Sequence, residues 1–236
     1  MKKVSAMILV SLFTGSAFAA PSIPKGSLPW PIASAGLADV TILHGLADSA
    51  GYDLRLCNGI PPFHYGVDIA APTGSRVFAV ATGRVARISN WGGSFGSAIA
   101  IESSSGGKVW TAIYGHLNAE WVDRNGRQRK LNDLNGLSVK AGDEIGSLIS
   151  QSDFGDVPHL HFGIRDGAVA GATYPAVGAI CGKEPGTYGY MNPLDYLSGT
   201  NGLQILDNSD SSGVSWIPSS AWSVPSDKVW FFSGWD

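Results

Sequence analysis

The sequence predicts a mainly β protein: a single antiparallel sheet domain with long loops, plus short N- and C-terminal extensions. Two observations carry this. The chain holds 31 glycines and 13 prolines, and between Val67 and Gly163 the glycines break short β-forming runs, a pattern typical of antiparallel sheets. No stretch of that half carries the sustained period of a long helix. The length permits one all-β domain with embellishments or two small domains.

The first residues read as an export signal, residues 1–19. Lys2 and Lys3 give a positive start, Met7 to Phe13 is apolar, and Ala17-Phe18-Ala19 is a cleavage site before Ala20. The apolar run falls short of the roughly 20 residues that span a bilayer. No later segment is longer and equally apolar, so no stable membrane insertion is expected. Export implies a secreted or periplasmic location. Without residues 1–19 the balance of 16 basic and 19 acidic residues becomes 14 against 19, a net charge of −5. That is not the basic footprint of a nucleic-acid binder.

Residues 20–57 form the N-terminal extension. Pro21, Pro24, Pro29 and Pro31 predict an extended, pinned segment. His44, in Leu43-His44-Gly45, has no second ligand at useful spacing and reads as structural or exposed. The domain proper is expected over residues 58–198. Its predicted strands are 75–80, 83–88, 97–102, 108–114 and 159–164, with Ser103-Ser104-Ser105-Gly106-Gly107 as a hairpin turn. Val139 to Gly146 reads as strand, turn, strand. Residues 118–137 are polar, hold Asn125-Gly126 and Asn135-Gly136, and read as a long loop or inserted hairpin. Their basic cluster, Arg124, Arg127, Arg129 and Lys130, reads as a solvated loop. Asn192 to Leu197 closes the domain. The extension 199–236 carries Trp216, Trp222, Trp230 and Trp235, rings that either bind carbohydrate or a partner or pack back on the domain.

The chemistry lies in four of the five histidines and one aspartate. In a strand, residues two apart share a face, so His159 and His161 project into one cleft, about 7 Å apart along the strand. His64 and Asp68, four apart in a strand, also share a face, and Gly66 between them permits a bend that brings both side chains to one point. With one histidine of the pair they complete three N/O ligands, and a catalytic zinc keeps its fourth position open. The remaining histidines suit proton handling near neutral pH. Asp156 reads either as a turn residue or as an orienting partner for the pair. Gly92, Gly93, Ser94, Gly96 and Ser97 form either a simple loop or a rim for a narrow peptide.

Cys57 and Cys181 are the only cysteines. In an oxidising compartment they are expected to pair, in a loop long enough to add about 4–5 kcal/mol in the entropy model. Two free thiols, or metal ligation, are the alternatives.

The motifs His64-Tyr65-Gly66-Val67-Asp68, Tyr114-Gly115-His116 and His159-Leu160-His161-Phe162, in this order, resemble the lysostaphin-type zinc metallopeptidases, also called the LytM or Gly-Gly endopeptidase group. Asp68-Ile69-Ala70-Ala71-Pro72-Thr73-Gly74, Ala81-Thr82-Gly83-Arg84-Val85, Val139 to Gly146 and Asn192-Pro193-Leu194 extend the resemblance over roughly residues 58–197. It implies an antiparallel sheet domain with a groove over one Zn2+ per chain. It assigns zinc to His64, Asp68 and His161, and makes His116 and His159 the non-ligand catalytic pair. The implied partner is peptidoglycan, cut at stem-peptide cross-links or glycine-rich bridges, and the protein is expected to act as a monomer. Two other readings stand beside it: a secreted protease of glycine-rich proteins using the same site, and a catalytically silent cell-wall binding or amidase-activating module. The silent module predicts a missing ligand, and none is missing. Residues 118–137 and 199–236 have no counterpart in the family pattern.

Overall fold

The computed structural model describes residues 23–32, 41–48, 57–151, 157–170, 172, 177–198, 205–210 and 213–217. The expected export signal, Asp156, Trp222, Trp230 and Trp235 lie outside these residues. In chain order the strands are β1 (Ile42–His44), β2 (Pro62–His64), β3 (Val67–Ala70), β4 (Arg76–Phe78), β5 (Gly83–Asn90), β6 (Ser97–Ser105), β7 (Lys108–Leu117) and β8 (Glu120–Val122). Then follow β9 (Gln128–Lys130), β10 (Ser138–Val139), β11 (Glu144–Ser147), β12 (His159–Asp166), β13 (Ala179–Cys181), β14 (Tyr190–Met191), β15 (Ile205–Asp210) and β16 (Gly213–Ile217). No helix among the described residues is long and apolar enough to cross a membrane.

One large sheet dominates, in the order β10-β5-β6-β7-β12-β3-β1-β15-β16, with β14 also on β12. Its pairings are antiparallel except β1 with β15. The hairpin of β6 and β7 turns at Gly106 and Gly107, both at positive φ, as the glycine pair of the sequence demands. Of the Trp-rich extension, the backbone of β15 and β16 adds two strands beyond β1.

Side chains alternate across this sheet with the period of two that strands impose. Val67 and Ile69 of β3, Ile99 and Ile101 of β6, Ala112 and Tyr114 of β7, and Leu160, Phe162 and Ile164 of β12 all enter the main apolar core. The residues between them face the other way. On β3 that is Asp68, and on β12 it is His159 and His161. The buried apolar face therefore fixes the register, and the register places the polar face, because a slip of one residue would exchange the two.

The N-terminal extension packs on the domain. Ile23, Leu28 and Ile32 join the main core, Leu28 bridges Leu197 in parallel, and Ile32 bridges Val77. Trp30 Nε1 donates to the Ser198 carbonyl at 2.9 Å. The segment Val139 to Gly146 does form strand, turn and strand, but its arms do not pair with each other: β10 joins β5 and β11 joins β4. Residues 118–137 hold the hairpin of β8 and β9. Its turn is closed by Asp123 Oδ1, which accepts from the Asn125 and Arg127 amides, and it is anchored by Trp121, whose Nε1 donates to Glu144 at 3.1 Å. Asn192 accepts from the Leu194 amide and starts the turn that closes the domain.

Cys57 and Cys181 form a disulfide with Cα atoms 5.5 Å apart. It lies beside the pairing of β2 with β13, where Cys181 stands opposite Pro62 and Ala179 opposite His64.

Candidate metal centre and histidine cluster

His64 and Asp68 are not in one strand. The chain bends at Tyr65 and Gly66, so that His64 ends β2 and Asp68 sits in β3. The reason is crowding. A Cβ on Gly66 would lie 2.5 Å from the Phe162 carbonyl oxygen and 2.9 Å from the His161 ring. Only glycine lets the chain cross β12 this closely.

Across the sheet, His44, Asp68 and His161 stand in one row, as β1–β3 and β3–β12 register partners. Directly opposed residues in an antiparallel pair hold their side chains together. His161 Nδ1 is 3.2 Å from Asp68 Oδ1, His64 Nε2 is 3.1 Å from the same oxygen, and the two ring nitrogens are 2.8 Å apart. These three buried residues are a group able to hold a metal ion.

The donor chemistry fits a cation at the centre of that triangle. His64 Nδ1 lies 2.9 Å from the Gly45 carbonyl, and a carbonyl can only accept, so Nδ1 carries the proton and Nε2 points a lone pair inward. Asp68 offers only lone pairs when ionised. Burial works to raise its pKa, but the neighbouring His64, His159 and His161 outweigh that and hold the carboxyl well below its usual range. His161 Nε2 is buried without a hydrogen-bond partner among the described residues. Burial pushes the His161 ring down to about 4, despite the Asp68 carboxylate beside it. Three inward acceptors at these separations approach the edge of a zinc tetrahedron, about 3.3 Å for bonds near 2.0–2.1 Å.

The second pair stands beside this group. The His116 and His159 rings lie 4.6 Å apart, edge to face. His116 Nδ1 donates to the Phe95 carbonyl at 3.0 Å, and His159 Nδ1 to the Val157 carbonyl at 2.8 Å. Both therefore turn Nε2 away from these anchors. His159 Nε2 lies 3.6 Å from Asp68 Oδ2, too far for a hydrogen bond. Burial, and then the neighbouring His159, push His116 down to about 3, so its ring is neutral around pH 7. These two are the most exposed of the five, at 9% and 8% against 1–4% for the other three. The pair thus lies nearer to solvent than the three candidate ligands.

His116 has φ 60, a left-handed backbone uncommon outside glycine. The β6–β7 register shifts between Ser97 and Ile99: Leu117 stands opposite Ser97, and Tyr114 opposite Ile99. Two residues of β7, Gly115 and His116, thus oppose Ala98 alone. Such a bulge re-aims a side chain, and here it turns His116 toward His159.

Several residues of the cluster carry no sequence signal. Trp91 sets its ring edge-on to His116 at 5.3 Å and to His161 at 5.5 Å. It lies so close over Gly115 that a Cβ there would meet it at 2.4 Å. Gln151 brackets His159: Oε1 accepts from its amide at 2.9 Å and Nε2 donates to its carbonyl at 3.0 Å. Gly45 supplies the carbonyl behind His64. The Gly-flanked run Gly93-Ser94-Phe95, expected only as a loop or rim, supplies the carbonyl that orients His116. A Trp beside a Gly-Gly turn could have hinted at a cover, but nothing local says which histidine it meets.

Comparison with known proteins places these residues in a family context. A family model described as Peptidase family M23 matches residues 62–172. The uncharacterized lipoprotein YgeR of Escherichia coli (strain K12) is 33% identical over 105 residues, which is 44% of this chain and 36% of that protein. Helicobacter pylori Csd3 is similar in structure with a TM-score of 0.42 and 23% identity, over 84% of this chain and 36% of that one. The catalytic domain of the antimicrobial peptidase lysostaphin from Staphylococcus simulans gives a TM-score of 0.42 and 20% identity, over 69% of this chain and 96% of that one. The chain thus spans about a third of the length of the first two.

Proposed function

Residues 62–172 are a peptidase family M23 domain, and from that premise we propose that the protein is an exported zinc endopeptidase that hydrolyses peptide bonds of peptidoglycan. The observation that carries this is the convergence of His64 Nε2, Asp68 Oδ1 and His161 Nδ1 within 3.2 Å of one another, in a buried group beside a second histidine pair. The domain takes in residues 58–198. Residues 1–19 act as the export signal, and the extensions 20–57 and 199–236 flank the domain. The product is a secreted or periplasmic monomer. The description of the Escherichia coli relative as a lipoprotein sits with export.

His64, Asp68 and His161 would hold the zinc. When bound, zinc supplies Lewis-acid polarisation of the scissile carbonyl and a nucleophile available near neutral pH. The residues of the chain do the rest. His116 and His159, each anchored through Nδ1, turn Nε2 away from these anchors. One accepts the proton of the attacking water. That proton then passes to the departing amine nitrogen, while the other histidine hydrogen-bonds the developing oxyanion. Trp91 covers the inner edge of His116 and His161 and keeps bulk water from that side.

The test is zinc content and peptidoglycan digestion on one purified sample, with and without a chelator. One equivalent of zinc, with chelator-sensitive release of new amino termini, supports the reading, and the identity of those termini separates stem cross-links from glycine bridges. Bound zinc without cleavage of any wall preparation or glycine-rich peptide moves the assignment to a wall-binding or amidase-activating module. Cleavage of glycine-rich proteins but not of wall moves it to a protease of such proteins.

A further inference from the structure

The turn that braces His64 comes from upstream of the family domain. Residues 41–48 precede the matched range, which starts at residue 62. Yet they touch the first candidate ligand at four points. The Gly45 carbonyl accepts from His64 Nδ1 at 2.9 Å. The Ala47 amide donates to the His64 carbonyl at 2.8 Å, and the His64 amide donates to the Asp48 carbonyl at 3.0 Å. The His44 ring lies 6.2 Å from that of His64, edge to face.

The turn is itself closed from within. His44 Nδ1 donates to Asp48 Oδ2 at 2.9 Å, across four residues that include Gly45 and Ala47. Ala47 holds φ 65, a conformation kept only where the surroundings over-determine it. Its base is the β1 strand, whose His44 is the register partner of Asp68. One short segment therefore borders two of the three candidate ligands. Its Gly45 carbonyl faces Nδ1 of His64.

We propose that residues 41–48 are a positioning element of the metal site: the His44–Asp48 pair closes a turn that aims the Gly45 carbonyl at His64, fixes its Nδ1–H tautomer, and so turns Nε2 toward Asp68 and His161. The segment is then a working part of the enzyme and is not discarded on maturation. This rests on the reading of His64, Asp68 and His161 as zinc ligands. The physical reason is general: the partner behind a ligating histidine sets its tautomer and ring orientation, and its loss weakens metal binding about 10- to 100-fold.

The experiment measures zinc affinity of the full chain by competition with a chromophoric chelator, and reads the His64 tautomer in the zinc-free protein from long-range 1H–15N spectra. Asp48→Ala and His44→Ala are expected to bind zinc about 10-fold or more weakly, with mixed His64 tautomers. Asp48→Asn keeps an oxygen that accepts from His44 and is expected to retain both the affinity and the single tautomer. Unchanged affinity in the two alanine variants overturns the inference. So does an equal loss in Asp48→Asn, which would mean that any change at the turn matters. If Asp48→Ala fails to fold by circular dichroism, His44→Ala decides on the same two readouts. A wild-type chain that binds no zinc removes the ligand reading itself.

Discussion

The two sides of the site are built in opposite ways. Asp68 and His161 lie on neighbouring regular strands, opposed in register and locked by the apolar face behind them. His116 lies on a bulge at φ 60 and is aimed by a loop carbonyl. A ladder fixes distances between side chains, as the proposed trio of metal ligands would require. A bulge re-aims one side chain without disturbing the sheet, as the proposed proton carrier would require. Order is concentrated where a small displacement would cost most, and backbone strain where a direction must be chosen.

The sharpest way to break this contrast is to empty each side in turn. Asp68→Ala should abolish zinc binding and peptidase activity together, measured as metal content and release of amino termini. His116→Ala should keep its zinc and lose turnover by about 10²–10⁴-fold, the usual worth of a general acid or base. Loss of zinc in His116→Ala would erase the distinction between the two sides.

Acid tests both sides at once. His116 and His161 sit at about 3 and about 4 in the fold, below the 6.5 of the free side chain. A folded pKa below the unfolded one means that the unfolded chain binds more protons as pH falls. Stability of the zinc-free protein is therefore unaffected above about pH 6.5 and declines from there to about pH 4 for His161 and about pH 3 for His116. At pH 5 the linkage relation gives about 2 kcal/mol per histidine. Denaturant titrations at pH 7 and pH 5 check it, and equal midpoints would contradict the buried, neutral state of these rings.

Smaller effects separate ladder from bulge. Gly66→Ala places a methyl against the Phe162 carbonyl and the His161 ring, and should cost about 1–3 kcal/mol as overpacking does, together with zinc affinity. At position 116 the preference reverses the habit of strands. His116→Gly should be more stable than His116→Ala by about 1 kcal/mol, because alanine carries the left-handed penalty and glycine does not. Melting temperatures of the two variants decide it.

What the sequence made legible follows the reach of its signals. The β6–β7 hairpin was written in alternation and a glycine pair. The shared face of His159 and His161 followed from a period of two. His64 and Asp68 were expected on one strand and lie on two, because the crowding at Gly66 comes from β12, nearly a hundred residues downstream. The four-sided bracing of His64 by residues 41–48 could not be read at all. A backbone carbonyl has no residue type, and His44 looked idle without a ligand at local spacing. Trp91 escaped for the same reason: its neighbours Gly115 and His161 are distant in the chain. The two arms of residues 139–146 were placed correctly, but their partners, β5 and β4, are set by the sheet and not by the turn between them.

The disulfide has a consequence for a chain that has been cut. Cys57 and Cys181, separated by 124 residues, bracket His64, Asp68, His116, His159 and His161 in one covalent ring. A single cut by a foreign protease anywhere inside that ring opens it without releasing a fragment. Both halves of the histidine cluster stay on one molecule, held at high local concentration, and a nicked chain can close again.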